Sequence, residues 1–149
     1  MFKKIIHRLF DIHPNALSFM EGMNLTGLPI CTFFQGDKKF NFILDTGSDV
    51  SIIDKNVLDQ IEHDMLHDTE GNLYGVDGVR VTVPVCNITL SYKGKDYPGA
   101  YLVRDMKEAF GNMKSDHGVN LHGLLGSRFF NQYKYVLDFD SLIAYSKQE

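Results

Sequence analysis

Asp45 stands out by its surroundings. It follows a continuous apolar run, 40–44 (FNFIL), and precedes Thr46, Gly47, Ser48 and Asp49, after which Val50, Ile52 and Ile53 return to apolar character. A carboxylate at the end of such a strand is drawn into a desolvated setting that disfavours its charged form. Gly47 lets the chain turn back closely enough for backbone N–H groups to face it. That combination holds a carboxyl group ready for proton transfer. Asp-Thr-Gly-Ser is also good turn chemistry, an Asx-type turn after a strand, so the tetrapeptide alone leaves both readings open.

Two further segments decide between them. Leu121-His122-Gly123-Leu124-Leu125-Gly126-Ser127-Arg128 lies ahead of a terminal hairpin, and upstream of it Gly75 and Gly78 bracket Val76 and Asp77. Asp45-Thr46-Gly47-Ser48 together with Leu124-Leu125-Gly126 resembles the paired motifs of aspartic proteases, and the likeness spans about residues 28–145. The resemblance implies that Leu124, Leu125 and Gly126 thread the loop made after the Asp45 strand and that a short helix follows them. It also implies that Gly75, Val76, Asp77 and Gly78 form a flap that closes over substrate. Pepsin-like members carry two Asp-Thr-Gly loops in one chain, whereas this sequence holds one. The resemblance is thus to the retropepsin-like branch, in which two identical chains each donate one Asp across a two-fold axis. It implies a homodimer acting on polypeptide.

What the resemblance implies for each residue follows from that pairing. Two adjacent Asp45 carboxylates cannot both ionise, so one keeps a proton and the pair titrates as a unit. The ionised member takes a proton from a water that attacks the scissile carbonyl, and the protonated member stabilises the oxyanion. No metal, cofactor or covalent intermediate is implied. Thr46 sends its hydroxyl to the partner loop, Gly47 lines the site with backbone, and Asp49 binds substrate main chain at the cleft edge. Ser48 is expected to donate its hydroxyl to the outer oxygen of Asp45, which predicts an acidic pH optimum. One feature departs from the pattern: the family usually has Arg directly after the second-motif glycine, paired with the acid aligned to Asp49. Here Ser127 stands there and Arg128 comes one later, which leaves that ion pair open. The N-terminal arm or the terminal hairpin is then the alternative brace for the dimer. A rival of another class is a catalytically silent module of the same fold that dimerises and grips peptides. A self-processing protease, with 1–24 as the segment removed, is a third reading.

Other reactive side chains carry less. His63 and His67, four apart beside Asp64 and Asp68, could share one helical face for a metal, but no third ligand follows at a telling distance. Residues 63–68 (HDMLHD) are read as a solvated helix end, and His117 and His122 likewise; no metal is expected. There is no phosphate loop of the GxxxxGKS or GxGxxG type, and Ser48 and Ser51 lack the His arrangement a serine nucleophile needs.

Short strands must position these residues. Segments 30–35 (ICTFFQ) and 40–44 flank a hairpin turn at 36–39, and 79–85, 87–92 and 97–103 read as further strands. A final hairpin joins 136–139 to 142–145. Residues 55–65 are a brief helical candidate, and 107–120 a short helix and loop. The expected class is all-β, a closed barrel or sandwich of the acid-protease type with one or two short helices. Residues 1–24 form an N-terminal arm in which Phe2, Ile5, Ile6, Leu9, Phe10 and Ile12 lie near helical spacing with Lys3, Lys4 and Arg8 between them, a short amphipathic helix. Residues 25–149 form the protease-like domain.

Composition bounds the rest. At 149 residues, 44% hydrophobic and 23% charged, the chain has the make-up of one globular domain. Fifteen Lys and Arg against nineteen Asp and Glu leave a net charge of -4, so no basic surplus exists to neutralise a nucleic-acid backbone. No apolar run approaches the roughly 18 residues of a membrane span, so no integral membrane association is expected. Two distant cysteines, Cys31 and Cys86, read as reduced core thiols of a cytoplasmic protein.

Overall fold

Strand β1 (Ile30–Gln35) and strand β2 (Lys38–Leu44) form an antiparallel hairpin in which Phe40, Phe42 and Leu44 are buried and their neighbours are not. This is the period-two burial of a strand with one face in a core. Gly36 takes φ 60° at the first position of the two-residue turn, a value that suits glycine there. The computed structural model describes residues 16–74 and 77–148. Strands β3 (Ser51–Asp54), β4 (Asp64–Tyr74), β5 (Arg80–Tyr92), β6 (Lys95–Arg104) and β7 (Gly123–Leu125) complete a seven-stranded sheet in the order β1-β2-β7-β3-β6-β5-β4. Pairing of Phe34 with Ser91 joins β1 to β5 and closes six of these strands into a barrel, with β4 outside it on β5. The expected all-β barrel is the architecture found. Strands β8 (Tyr135–Asp138) and β9 (Ile143–Ser146) make a separate hairpin, close to the terminal hairpin expected.

Aromatic rings fill the barrel. Phe33 lies edge-on to Phe42, Tyr97 and Phe129, so the short helix α3 (Ser127–Gln132) plugs the core through Phe129. The Tyr133 hydroxyl donates to the Pro98 carbonyl, and Ser146 Oγ donates to the Tyr133 carbonyl, which fastens the β8–β9 hairpin to the barrel. Cys31 and Cys86 are buried free thiols, pushed by burial to about 12 and about 11. At those values they are poor nucleophiles.

Among the described residues two helices lie outside the barrel. Helix α1 (Phe19–Thr26) starts at Ser18, whose Oγ accepts the Glu21 N–H at 3.1 Å, and stops at Gly27 in the left-handed region. It approaches β1 so closely that a Cβ on Gly22 would strike the Ile30 carbonyl. Its helical span crosses residue 24, and residues 1–15, with the whole amphipathic stripe expected of the arm, lie outside the described residues. Helix α2 (Lys107–His117) fits the helix and loop expected over 107–120.

Two sequence expectations are corrected. The helical candidate 55–65 contains only a 3-10 turn, Lys55–Val57, and the chain is already extended at Asp64. Pairing of Met65 with Cys86 and Leu66 with Val85 draws the segment onto β5, so tertiary pairing overrides a weak helical pattern. The two strands expected at 79–85 and 87–92 are one continuous β5, because Cys86 is paired on both sides, with Met65 and Tyr101.

Candidate active site

The Asp45 loop is built by three strands. At the end of β2 the Asp45 N–H donates to the Leu125 carbonyl at 2.9 Å, and the chain then turns away from the sheet. The Gly47 N–H donates back to Asp45 Oδ1 at 2.9 Å, and the Ser48 N–H to the Asp45 carbonyl at 3.3 Å. Strand β7 runs parallel to β2 and antiparallel to β3, so it passes between the strands that enter and leave the loop. Gly126 sits inside that loop, where a Cβ would strike the Val50 carbonyl and come within 2.8 Å of the Ser48 carbonyl. The Gly126 N–H reaches Ser51 Oγ at 3.1 Å, the Ser127 N–H reaches the Ser48 carbonyl at 2.7 Å, and the Arg128 N–H reaches the Asp49 carbonyl at 3.2 Å. Leu124, Leu125 and Gly126 therefore thread the loop.

Exposure differs sharply along this unit. Leu124, Leu125 and Gly126 are buried, Asp45 and Ser48 half-buried, and Thr46, Gly47 and Asp49 exposed. The desolvated pocket expected around Asp45 is not formed by one chain, because the loop tip opens on the surface. Thr46 makes no side-chain hydrogen bond to a described residue. The Ser48 hydroxyl donates to the Val50 carbonyl at 2.7 Å and not to Asp45, since it has one proton and that carbonyl lies two residues on. The donor that Asp45 receives is the backbone of Gly47. Arg128 reaches Asp49 at 4.0 Å despite the one-residue shift, with side chains 78% and 79% exposed, so this ion pair exists but contributes little.

The β4–β5 hairpin carries the region expected to be the flap. Asp77 and Gly78 are exposed, Asp77 Oδ1 accepts the Val79 N–H at 3.0 Å, and Gly78 has φ 78°. Gly75 and Val76 lie outside the described residues. Around this tip Tyr74, Val79 and Val81 expose apolar surface, Tyr74 at 68%.

The histidines do not assemble a site. His67 lies exposed on β4 and His63 just before it, so the solvated helix end expected at 63–68 is a strand. His117 ends α2, exposed, as read from the sequence. His122, expected to be solvated, is half-buried edge-on to Phe40, and its Nδ1 accepts the Asn41 N–H at 2.9 Å. Burial pushes its imidazole below the ordinary value. Among the described residues no three His, Cys, Asp or Glu side chains converge as metal ligands, and no helix is long and apolar enough to cross a membrane. Sequence reasoning missed Asp54, a buried carboxylate whose Oδ1 accepts from the Asn56 N–H, Asn56 Nδ2 and the Met106 N–H. It anchors the end of β3 to the start of α2. Sequence reasoning noted Ser127 only as the residue standing where the family usually has Arg, although its Oγ donates to the Thr46 carbonyl at 3.0 Å.

No protein-family model and no curated protein sequence matches this chain. Among solved structures, the retroviral EIAV protease, complexed with the inhibitor HBY-793, is similar in fold. The TM-score is 0.53 and the identity 20%, over 78% of this chain and 97% of that one. The chain has the retropepsin fold. That fold accounts for the barrel and for the passage of β7 through the loop, while the chemistry of the loop rests on its own residues.

Proposed function

We propose that the protein is an aspartic endopeptidase, active as a homodimer, that hydrolyses peptide bonds with a water held between two Asp45 carboxylates. The observation that carries this reading is the threaded loop, which presents one carboxylate with exposed Thr46 and Gly47 at an open surface of a retropepsin fold. A single chain offers one acid and no second group to take the opposite proton role. A two-fold axis through the loop tips supplies the twin Asp45 and covers the exposed turn. One carboxylate then removes a proton from water as it attacks the carbonyl carbon, and the other hydrogen-bonds the carbonyl oxygen as negative charge develops. The proton passes to the departing amine as the C–N bond breaks. Thr46 bonds the partner loop, Asp49 holds substrate main chain, and residues 75–78 close over a bound polypeptide. The buried thiols fit a reducing cytoplasm as the working compartment.

The test compares wild type with Asp45→Asn on an unfolded polypeptide at several acidic pH values, alongside sedimentation. Loss of cleavage with the dimer retained is the expected result. A dimer that never cleaves in wild-type form identifies the silent peptide-binding module instead.

A further inference from the structure

Ser127 is joined to the Asp45 loop twice, by its N–H to the Ser48 carbonyl at 2.7 Å and by its hydroxyl to the Thr46 carbonyl at 3.0 Å. The Thr46 carbonyl and the Gly47 N–H are opposite ends of one planar peptide unit, so a bond that fixes one end orients the other. That N–H is the group that donates to Asp45 Oδ1 at 2.9 Å. A hydrogen bond accepted by a carbonyl also polarises the N–H of the same unit and strengthens the bond it donates. We propose that Ser127 is a positioning residue for Asp45, its hydroxyl aiming the Gly47 N–H at the carboxylate through the Thr46-Gly47 peptide. The proposal rests on the proteolytic reading above and names what sets the acid limit of that site, because a donor to the ionised carboxylate favours its charged form.

Among the described residues no other side chain does this. The Ser48 hydroxyl is spent on the Val50 carbonyl, and Thr46 is an exposed residue with no side-chain hydrogen bond to a described residue. The charged groups on the elements around the loop are Asp49 within it, Arg128 on α3, Asp54 at the far end of β3, Lys38 and Lys39 at the far end of β2, and His122 ahead of β7. Of these described groups Asp49 and Arg128 adjoin the loop, and they face each other at 4.0 Å in solvent. The backbone bond from Ser127 survives any substitution that leaves α3 in place, so the hydroxyl can be removed by itself.

Ser127→Ala and Ser127→Thr test this in the full-length dimer. The alanine variant is expected to lower kcat about five- to tenfold, the rate equivalent of one lost hydrogen bond, with KM unchanged. The acid limb of its pH–rate profile should move toward neutral, and threonine should restore both. An NMR titration of the Asp45 carboxyl carbon reads the same shift without turnover. Alanine equal to wild type in limb and titration overturns the proposal, as does a loss of rate accounted for wholly by dimer dissociation. If wild type shows no cleavage the proteolytic reading fails, and an unchanged carboxyl titration in the alanine variant then removes the positioning role separately.

Discussion

The Asp45 loop and the tip of the β4–β5 hairpin are built on opposite principles. The loop is tied from inside the molecule by β7, with Gly126 enclosed by carbonyls, the Leu125 carbonyl accepting from the Asp45 N–H, and the Ser127 and Arg128 N–H groups donating into the loop. Among its described residues the hairpin tip is held by the Asp77–Val79 turn, by the pairing of Tyr74 with Arg80 and by Arg80 Nε to Asn72 Oδ1 at 2.8 Å, and it leaves Tyr74, Val79 and Val81 exposed. A group that must hold one geometry is over-determined by neighbours distant in sequence. In the proposed enzyme the hairpin tip is the part that meets substrate, and its described residues keep apolar side chains exposed. Substitution should therefore unfold the first region and leave the second folded.

The largest effect is expected at Gly126. Alanine there pushes a methyl against backbone carbonyls that cannot move without opening the loop, and should destabilise the fold by about 3 kcal/mol, measured by urea denaturation. A change within experimental error would mean that β7 does not clamp the loop.

Next comes pH, through His122 at the entrance to β7. Its folded value lies below the ordinary 6.5 because burial disfavours the charged ring. Above 6.5 both folded and unfolded chains carry a neutral imidazole and the group has no effect. As pH falls from there toward the depressed folded value, the unfolded chain takes up a proton that the folded one refuses, so stability declines. Below the folded value no further loss arises from this residue. His122→Asn should flatten that part of the stability–pH curve measured by thermal unfolding. An unchanged slope would place the acid sensitivity elsewhere. This decline runs against the acidic optimum expected from the sequence, whose Ser48 donor is taken by the Val50 carbonyl.

The smallest effect on stability is expected at the hairpin tip. Tyr74→Ser should change unfolding free energy by no more than about 0.5 kcal/mol while raising KM for polypeptide. A large loss of stability would show that the tyrosine is packed in the dimer and not free for substrate.

The same contrast explains what the sequence revealed. Segment 40–44 alternates burial along its length, and the DTG turn and the Leu124-Leu125-Gly126 run are local patterns whose partners are implied by resemblance, so barrel and loop were legible. Strand β4 was not. Most of its side chains are exposed, its register shifts between Leu66 and Glu70, and His67 within it and His63 just ahead of it lie at a spacing that also suits a helix. The role of Ser48 was misread because a hydroxyl's choice between two acceptors depends on where the chain goes next, here the Val50 carbonyl. The bonds of Ser127 to Thr46 and of Met106 to Asp54 were not legible because they span 81 and 52 residues.

The central claim is that two chains share one site, and mixing them tests it directly. Wild type and Asp45→Asn are combined in equal amounts at fixed total concentration, allowed to exchange subunits, and assayed on unfolded polypeptide. If each site needs both aspartates, only wild-type pairs cleave and activity falls to about a quarter of the unmixed enzyme. Activity at about half would mean that each chain works alone, and would contradict the account.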